Sequence, residues 1–298
     1  MDQQTASAQP SPVSRVLARV ERTLRGSGIT RIPGVGPLVE LGRTRAERIL
    51  ADRVPVRVAE FALFMPRRFF PNYGSAGTYE PLTQQSFRDV LRPGMTMVDV
   101  GAHIGFYTIL SARLVGPGGR VHAFEPAREN LEYLERNLAH HGLGQVTVHA
   151  AAVGRESCLR EFHLTRSSDS NGFYAHPLAE TVETLQVQQR ALDDVVSGPV
   201  HALKIDVEGA ETEVLDGMTR ILRENPRLTL WMEWNPSCMR NAGYDPLDLP
   251  RRLRELGFRL SVLDDVEQRR PPLEETLARV AGGGTPEEWF VNLLCERE

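Results

Sequence analysis

The sequence predicts an α/β chain built on a mostly parallel sheet with an antiparallel edge strand, preceded by an N-terminal helical extension. Three observations carry that prediction. From residue 96 onward, short β-prone runs alternate with helical patterns, the signature of βαβ units. The last two strand-like runs break the alternation, because a long loop joins them, and an antiparallel edge strand accommodates that connection. Finally, 298 residues with 41% hydrophobic and 25% charged content suffice for a large core without covalent staples.

Taken in order, residues 1–12 are polar and read as a frayed end. Val13, Val16, Leu17, Val20 and Leu24 then recur at helical spacing among arginines, and a second helical pattern covers Leu38–Ala51. Eight arginines against four acids in residues 1–50 read as the solvated face of packed helices, so 1–78 is expected to be an extension or lid on a main domain at 79–298. The β-prone runs Val54–Val58 and Phe61–Met65 predict a strand or two.

Strands are then expected at Thr96–Val100, Arg120–Phe124 and Val146–Ala150, separated by helices at Phe106–Leu114 and Arg128–His141. The stretch up to Glu183 reads as irregular, with an edge segment at Thr184–Gln189. Strand Ala202–Val207, helix Ala210–Arg223 and strand Leu228–Trp234 follow. A helix near Leu247–Leu256 and strands at Phe258–Leu263 and Trp289–Cys295 complete the pattern.

Composition excludes several classes. Thirty-five basic against 39 acidic residues give a net charge of −4, without the electrostatic footprint of a nucleic-acid binder. No apolar run of ~18 residues is free of charge or proline, so no membrane span is expected. No secretory leader is read at the start. Cys158, Cys238 and Cys295 are odd in number and far apart, which suits a reducing, cytoplasmic setting. Lys204 is the only lysine, as a coding bias toward arginine would produce. Its persistence against that bias is the reason to expect a position that asks for a compact ammonium rather than a planar guanidinium.

The segment Val98–Phe106 (VDVGAHIGF) carries the most information: a buried strand ends in Asp99, and the small residues Gly101, Ala102 and Gly105 open a helix. Glycine there lets backbone pass close to a ligand. The spacing is neither that of a triphosphate-binding loop nor a clean dinucleotide fingerprint. A second strand ends in Phe124-Glu125-Pro126, and Glu125 stands 24 positions beyond Gly101, where a carboxylate holds a ribose diol. The pair points to an adenosine-type ligand.

Four segments together resemble the FkbM-type family of class I S-adenosylmethionine-dependent methyltransferases: Tyr79-Glu80-Pro81, VDVGAHIGFYT at 98–108, AFEPAREN at 123–130 and LKIDVEGAE at 203–211. The resemblance spans roughly residues 79–265 and departs at His103, where the family more often has Asn. It implies a seven-stranded Rossmann-like sheet with S-adenosylmethionine across its strand ends. Asp99 and the loop Gly101, Ala102, His103 and Gly105 would surround the methionine part, with Glu80, Phe106, Tyr107 and Thr108 in the same shell. Glu125 would take the ribose, Phe124, Pro126, Ala151 and Ala152 would flank the adenine, and Asp206 would lie beside the methyl group.

Methyl transfer to a hydroxyl is an in-line displacement helped by a nearby base or metal. Lys204, Asp206 and Glu208 alternate, so on an extended strand they would face one side. Asp206 or Glu208 is expected to accept the proton or orient the hydroxyl, with Lys204 tuning their charge. Glu233, flanked by Trp231 and Trp234 at the next strand tip, is the other catalytic candidate; Glu211 reads mainly as a helix-dipole acid, and His176 as a lesser base. Asp206, Glu208 and Glu233 would make a hard-oxygen set of the Mg²⁺ kind, but no compact ligand motif demands a metal. The expected reaction is O-methylation of a small molecule, a sugar or polyketide-like metabolite. The alternatives are N- or carboxyl-methylation and, from another class, a binding module without catalysis. Residues choosing the acceptor are expected in 1–78, 155–185 and 236–290.

Overall fold

Strands buried on both faces read as continuous apolar runs, and three of them form the middle of the molecule: β3 (Thr96–Val100), β9 (Ala202–Ile205) and β10 (Thr229–Trp234). The computed structural model describes residues 55–69, 73, 79–166 and 170–297. The two helices expected before residue 52 lie outside the described residues.

Around that centre, β4 (Arg120–Phe124) and β5 (Val146–His149) extend the sheet on one side, and β12 (Val291–Glu296) and β11 (Arg259–Leu263) on the other. The order is β11-β12-β10-β9-β3-β4-β5, seven strands in all. β3, β4, β5, β9 and β10 run parallel; β12 is antiparallel to both β10 and β11. The reversed strand therefore sits one place in from the edge, and β11 is the edge. β11 is laid down first and leaves a slot beside β10 that the chain end fills. The connection expected as a plain loop carries a helix at Leu273–Ala281, whose Leu273, Leu277 and Val280 pack on the core.

The helices α1 (Pro81–Val90), α2 (Phe106–Val115) and α3 (Arg128–His141) belong to the half of the core built around β3 and β4. α1 was not anticipated; Asp265 caps it from across the molecule, accepting from the Leu82 and Thr83 N–H groups at 2.7 and 3.3 Å. Phe87 of α1 stacks on the buried Trp231 at 3.9 Å, and Trp231 Nε1 donates to Ser86 Oγ at 2.7 Å. Burial of such a side chain stabilises by about 1.5–3 kcal/mol. The helix expected over 210–223 is two short helices, α5 (Glu211–Asp216) and α6 (Thr219–Glu224), which follow α4 (Leu192–Val195).

Two smaller sheets complete the fold. The runs read as strands at 54–65 form a hairpin of β1 (Val56–Val58) and β2 (Phe61–Leu63), whose Val58, Phe61 and Leu63 share one apolar cluster with Met97 and Ile104. The stretch read as irregular holds β6 (Ala152–Val153) and β7 (Cys158–Thr165). These join β8 (Thr181–Arg190), which contains the edge segment expected at Thr184–Gln189, in a three-stranded sheet of order β6-β8-β7. Among the described residues no helix is long and apolar enough to cross a membrane.

Candidate functional site

The chain leaves β3 for β4 on one side and reaches β9 on the other, so the sheet's order reverses between β3 and β9. Open α/β sheets bind ligands at the carboxyl ends of strands at such a point. A cavity of about 470 Å³ opens there, within the range of small-molecule sites.

The loop after β3 forms one wall, and Asp99, Gly101, Ala102, His103, Phe106 and Tyr107 all line it. Gly101 has φ +82°, and a Cβ there would lie 1.9 Å from the Asp206 carbonyl oxygen. The neighbouring strand end thus requires the glycine in addition to the ligand approach that its spacing suggested. Gly105 (φ +95°) does not reach the cavity; its missing Cβ makes room for Leu134 of α3, 2.6 Å away. Thr108 is likewise behind the wall, where its hydroxyl donates to Asp99 Oδ2 at 2.6 Å. Asp99 Oδ1 is buried with no hydrogen-bond partner among the described residues. Burial raises the Asp99 pKa against the opposing pull of Lys204 and Thr108.

Glu125, at the tip of β4, is held by three donors. The N–H of His103 reaches Oε2 at 2.9 Å, and the Ala127 N–H and Asn130 Nδ2 reach Oε1 at 2.9 and 3.2 Å. Burial nevertheless pushes its pKa up to about 7. His103 takes the left-handed backbone at φ 51°, which aims that N–H. Its ring Nδ1 meets the Tyr73 hydroxyl at 2.7 Å, and burial pushes its pKa down to about 4, so the imidazole is neutral. The residue that departs from the expected Asn therefore holds Glu125 through its backbone. Phe124, Pro126, Ala151 and Ala152 line the cavity beside Glu125.

The opposite end is acidic. Glu80 (φ 39°) precedes α1 and accepts from the Tyr107 hydroxyl at 2.5 Å, with burial raising its pKa to about 7. Lys204 is 3% exposed; its Nζ donates to Asp206 Oδ2 at 2.5 Å and lies 5.0 Å from the Tyr107 ring centroid. Burial works against its charge, but Asp206, Asp99 and Glu80 outweigh burial and raise its pKa. β9 ends at Ile205 and Glu208 has φ 54°, so the expected alternation stops at Asp206. Glu208 enters the cavity from the following turn, where it accepts from the Cys238 thiol at 3.3 Å and stands 3.7 Å from His176 Nε2.

Glu233 at the tip of β10 lines the same end, and its pKa is held well above the usual range by burial first and then by Asp206 and Glu208. A carboxyl so placed holds its proton more tightly than a free one, which makes it a poorer base than Asp206. Glu211 lies outside the cavity and accepts from the Gly209 N–H at 3.1 Å, as a structural acid would. In the remaining wall the sequence singles out His176, whereas Phe162 and Phe173 of the three-stranded sheet and its loop, and Glu287 and Phe290 of the segment before β12, are expected only as parts of longer stretches.

A model of the FkbM methyltransferase domain matches residues 99–260. The chain is 33% identical over 160 residues to the 31-O-demethyl-FK506 methyltransferase FkbM of Streptomyces tacrolimicus, covering 43% of this chain and 61% of that one. It is 31% identical over 145 residues to Methyltransferase 1 of Beauveria bassiana (strain ARSEF 2860), covering 41% and 57%. The matches thus span less than two thirds of either relative. Among solved structures, a methyltransferase FkbM from Methylobacillus flagellatus KT aligns over 71% of this chain and 50% of its own, at 19% identity and a TM-score of 0.44. With the domain match running from Asp99 at the head of the cavity through every carboxylate at the strand tips, the chain belongs to the FkbM family of S-adenosylmethionine-dependent methyltransferases.

Proposed function

We propose that the protein transfers the methyl group of S-adenosylmethionine to a hydroxyl of a small molecule, a sugar or polyketide-like metabolite. The observation that carries this reading is one cavity with two unlike ends, a braced carboxylate at Glu125 and a carboxylate cluster at Asp206, Glu208 and Glu233. The name of the Streptomyces relative, which describes methylation at an oxygen, supports it.

The residues fit the cofactor. Asp99 Oδ1 and Asn130 Oδ1 are buried acceptors without donors among the described residues, both on cavity-lining side chains; donors on a bound nucleoside and amino acid would satisfy them. In this reading Asp99 and the loop Gly101–His103 hold the methionine part, and Glu125 the ribose. Phe124, Pro126, Ala151 and Ala152 flank the adenine. The cofactor supplies an electrophilic methyl on its sulfonium. The protein's part is to hold the acceptor oxygen in line, worth up to about 7–11 kcal/mol, and to receive its proton, typically 10²–10⁴-fold. Asp206 suits the second task, because Lys204 engages only its Oδ2. Tyr73, within the proposed extension 1–78, lines the cavity, which supports a lid role for that region.

The test is mass spectrometry of metabolite pools incubated with methyl-labelled cofactor. Label on a hydroxyl oxygen is expected; label confined to nitrogen or carboxylate overturns the reading. Asp206→Asn is expected to lower turnover about 10²-fold or more while leaving affinity for the demethylated product unchanged.

A further inference from the structure

Glu233 is 9% exposed and lines the cavity, yet it makes no hydrogen bond or ion pair among the described residues. Its two carboxylate neighbours are engaged: Asp206 by Lys204 at 2.5 Å, and Glu208 by the Cys238 thiol at 3.3 Å. A buried carboxylate left without a partner costs several kcal/mol unless it is protonated or ligates a cation. Ligand oxygens of Asp206, Glu208 and Glu233 all lie within 4.8 Å of one another. Three oxygens that close need only small side-chain rotations to converge on one ion at about 2.0–2.6 Å.

We propose that Asp206, Glu208 and Glu233 bind one divalent cation of the hard, oxygen-preferring class, such as Mg²⁺ or Mn²⁺, at the acceptor end of the cavity. The use of that ion, to hold the acceptor oxygen and offset charge as its proton leaves, rests on the methyl-transfer reading; its binding does not. A second set sharing Glu208, with His176 and Cys238, also falls within 4.8 Å. Cys238 already donates to Glu208 as a thiol at 3.3 Å, so that set lacks the thiolate a softer metal takes. His176 instead braces Glu208.

The experiment titrates Mn²⁺ into the full chain, stripped of metal and cofactor, and follows free Mn²⁺ by electron paramagnetic resonance. One ion per chain is expected, displaced by excess Mg²⁺. Glu233→Gln is expected to weaken uptake at least about tenfold, since a lost ligand costs no less than a lost outer partner, while melting as a folded protein. Glu125→Gln, at the other end, is expected to leave Mn²⁺ affinity within about twofold. No saturable uptake, or equal uptake by Glu233→Gln, overturns the inference. Loss of uptake in Cys238→Ser with a preference for Zn²⁺ overturns the ligand assignment. Affinity for S-adenosylhomocysteine is measured on the same samples. Product binding without Mn²⁺ binding sinks the cation alone, and Mn²⁺ binding without product binding sinks the methyl-transfer reading alone.

Discussion

Glu125 and Glu233 are buried carboxyls at the tips of two strands of one sheet, and burial raises the pKa of both. Glu125 receives two backbone N–H groups and an amide, which already hold it in place. Among the described residues Glu233 receives nothing, and its nearest charged neighbours at that end include two carboxylates. The difference separates two kinds of site-building. One end is prepared in advance by local chain, because His103, Ala127 and Asn130 all lie within one loop–strand–helix passage. The other end gathers groups from β9, β10 and the turn after β9, and leaves a charge for something else to complete. Stability is given up there, as binding sites commonly require.

The prepared end should be the easier to break. Gly101→Ala places a Cβ against the Asp206 carbonyl and forces a side chain into the left-handed region. Overpacking of about 1–3 kcal/mol and a backbone cost of about 1–2 kcal/mol add. Thermal melts should show a loss of about 2–5 kcal/mol, and calorimetry no binding of S-adenosylhomocysteine. A variant that binds product normally would show that the loop does not need its contact with β9.

Lys204→Met tests what joins the two ends. Lys204 lies in register with Asp99 on β3 and bonds Asp206 on its own strand. Removing it strands buried carboxylates, which costs about 3–5 kcal/mol when one partner of a buried pair is lost. The loss should be largest at alkaline pH and shrink as the carboxyls become protonated. Urea unfolding at pH 5 and pH 8 measures that slope; a pH-independent loss would mean that Lys204 acts by packing alone.

The same contrast explains what could be read in the sequence. β3, β4, β9 and β10 were legible because strands covered on both faces are written as apolar runs, and the loop after β3 because its residues are consecutive. β7 was not, since Cys158–Thr165 intersperses Arg, Glu and His with few buried positions, and β8 was read only as the edge segment Thr184–Gln189. The slot taken by β12 depends on β11 being in place first, which no local pattern records. Within the loop, Gly105 and Thr108 share the motif's spelling but face Leu134 and Asp99, because a motif does not distinguish residues that touch a ligand from those that support them. The acceptor wall, from Phe162 and His176 to Glu287 and Phe290, is brought together only by the tertiary fold.

Glu125→Gln sharpens the comparison at the binding level. A charge-assisted acceptor to a ribose diol is worth about 1.5–3 kcal/mol, so affinity for S-adenosylhomocysteine should fall about 10–100-fold. In the unaltered protein affinity should fall as pH drops through about 7, where Glu125 takes up its proton. Glu80 and Glu211 titrate in the same window, so the diagnostic result is a flatter pH profile for the variant. An unchanged profile would assign the dependence to one of those two.

Glu233→Gln should have the smallest effect and the opposite sign. A carboxyl whose folded pKa lies above its unfolded value binds more protons when folded. Its stabilisation is complete below the unfolded pKa of about 4.3 and is lost as pH rises toward the folded value. Gln carries no such loss. In chelator the variant should therefore match the unaltered protein near pH 4.5 and exceed it at pH 8, read from denaturant melts at both pH values. Saturating Mn²⁺ should reverse the order at pH 8, because only the glutamate then gains a ligand for its charge. Superimposable melts at both pH values would mean that Glu233 already has its counter-charge in the folded chain, and the contrast with Glu125 would vanish.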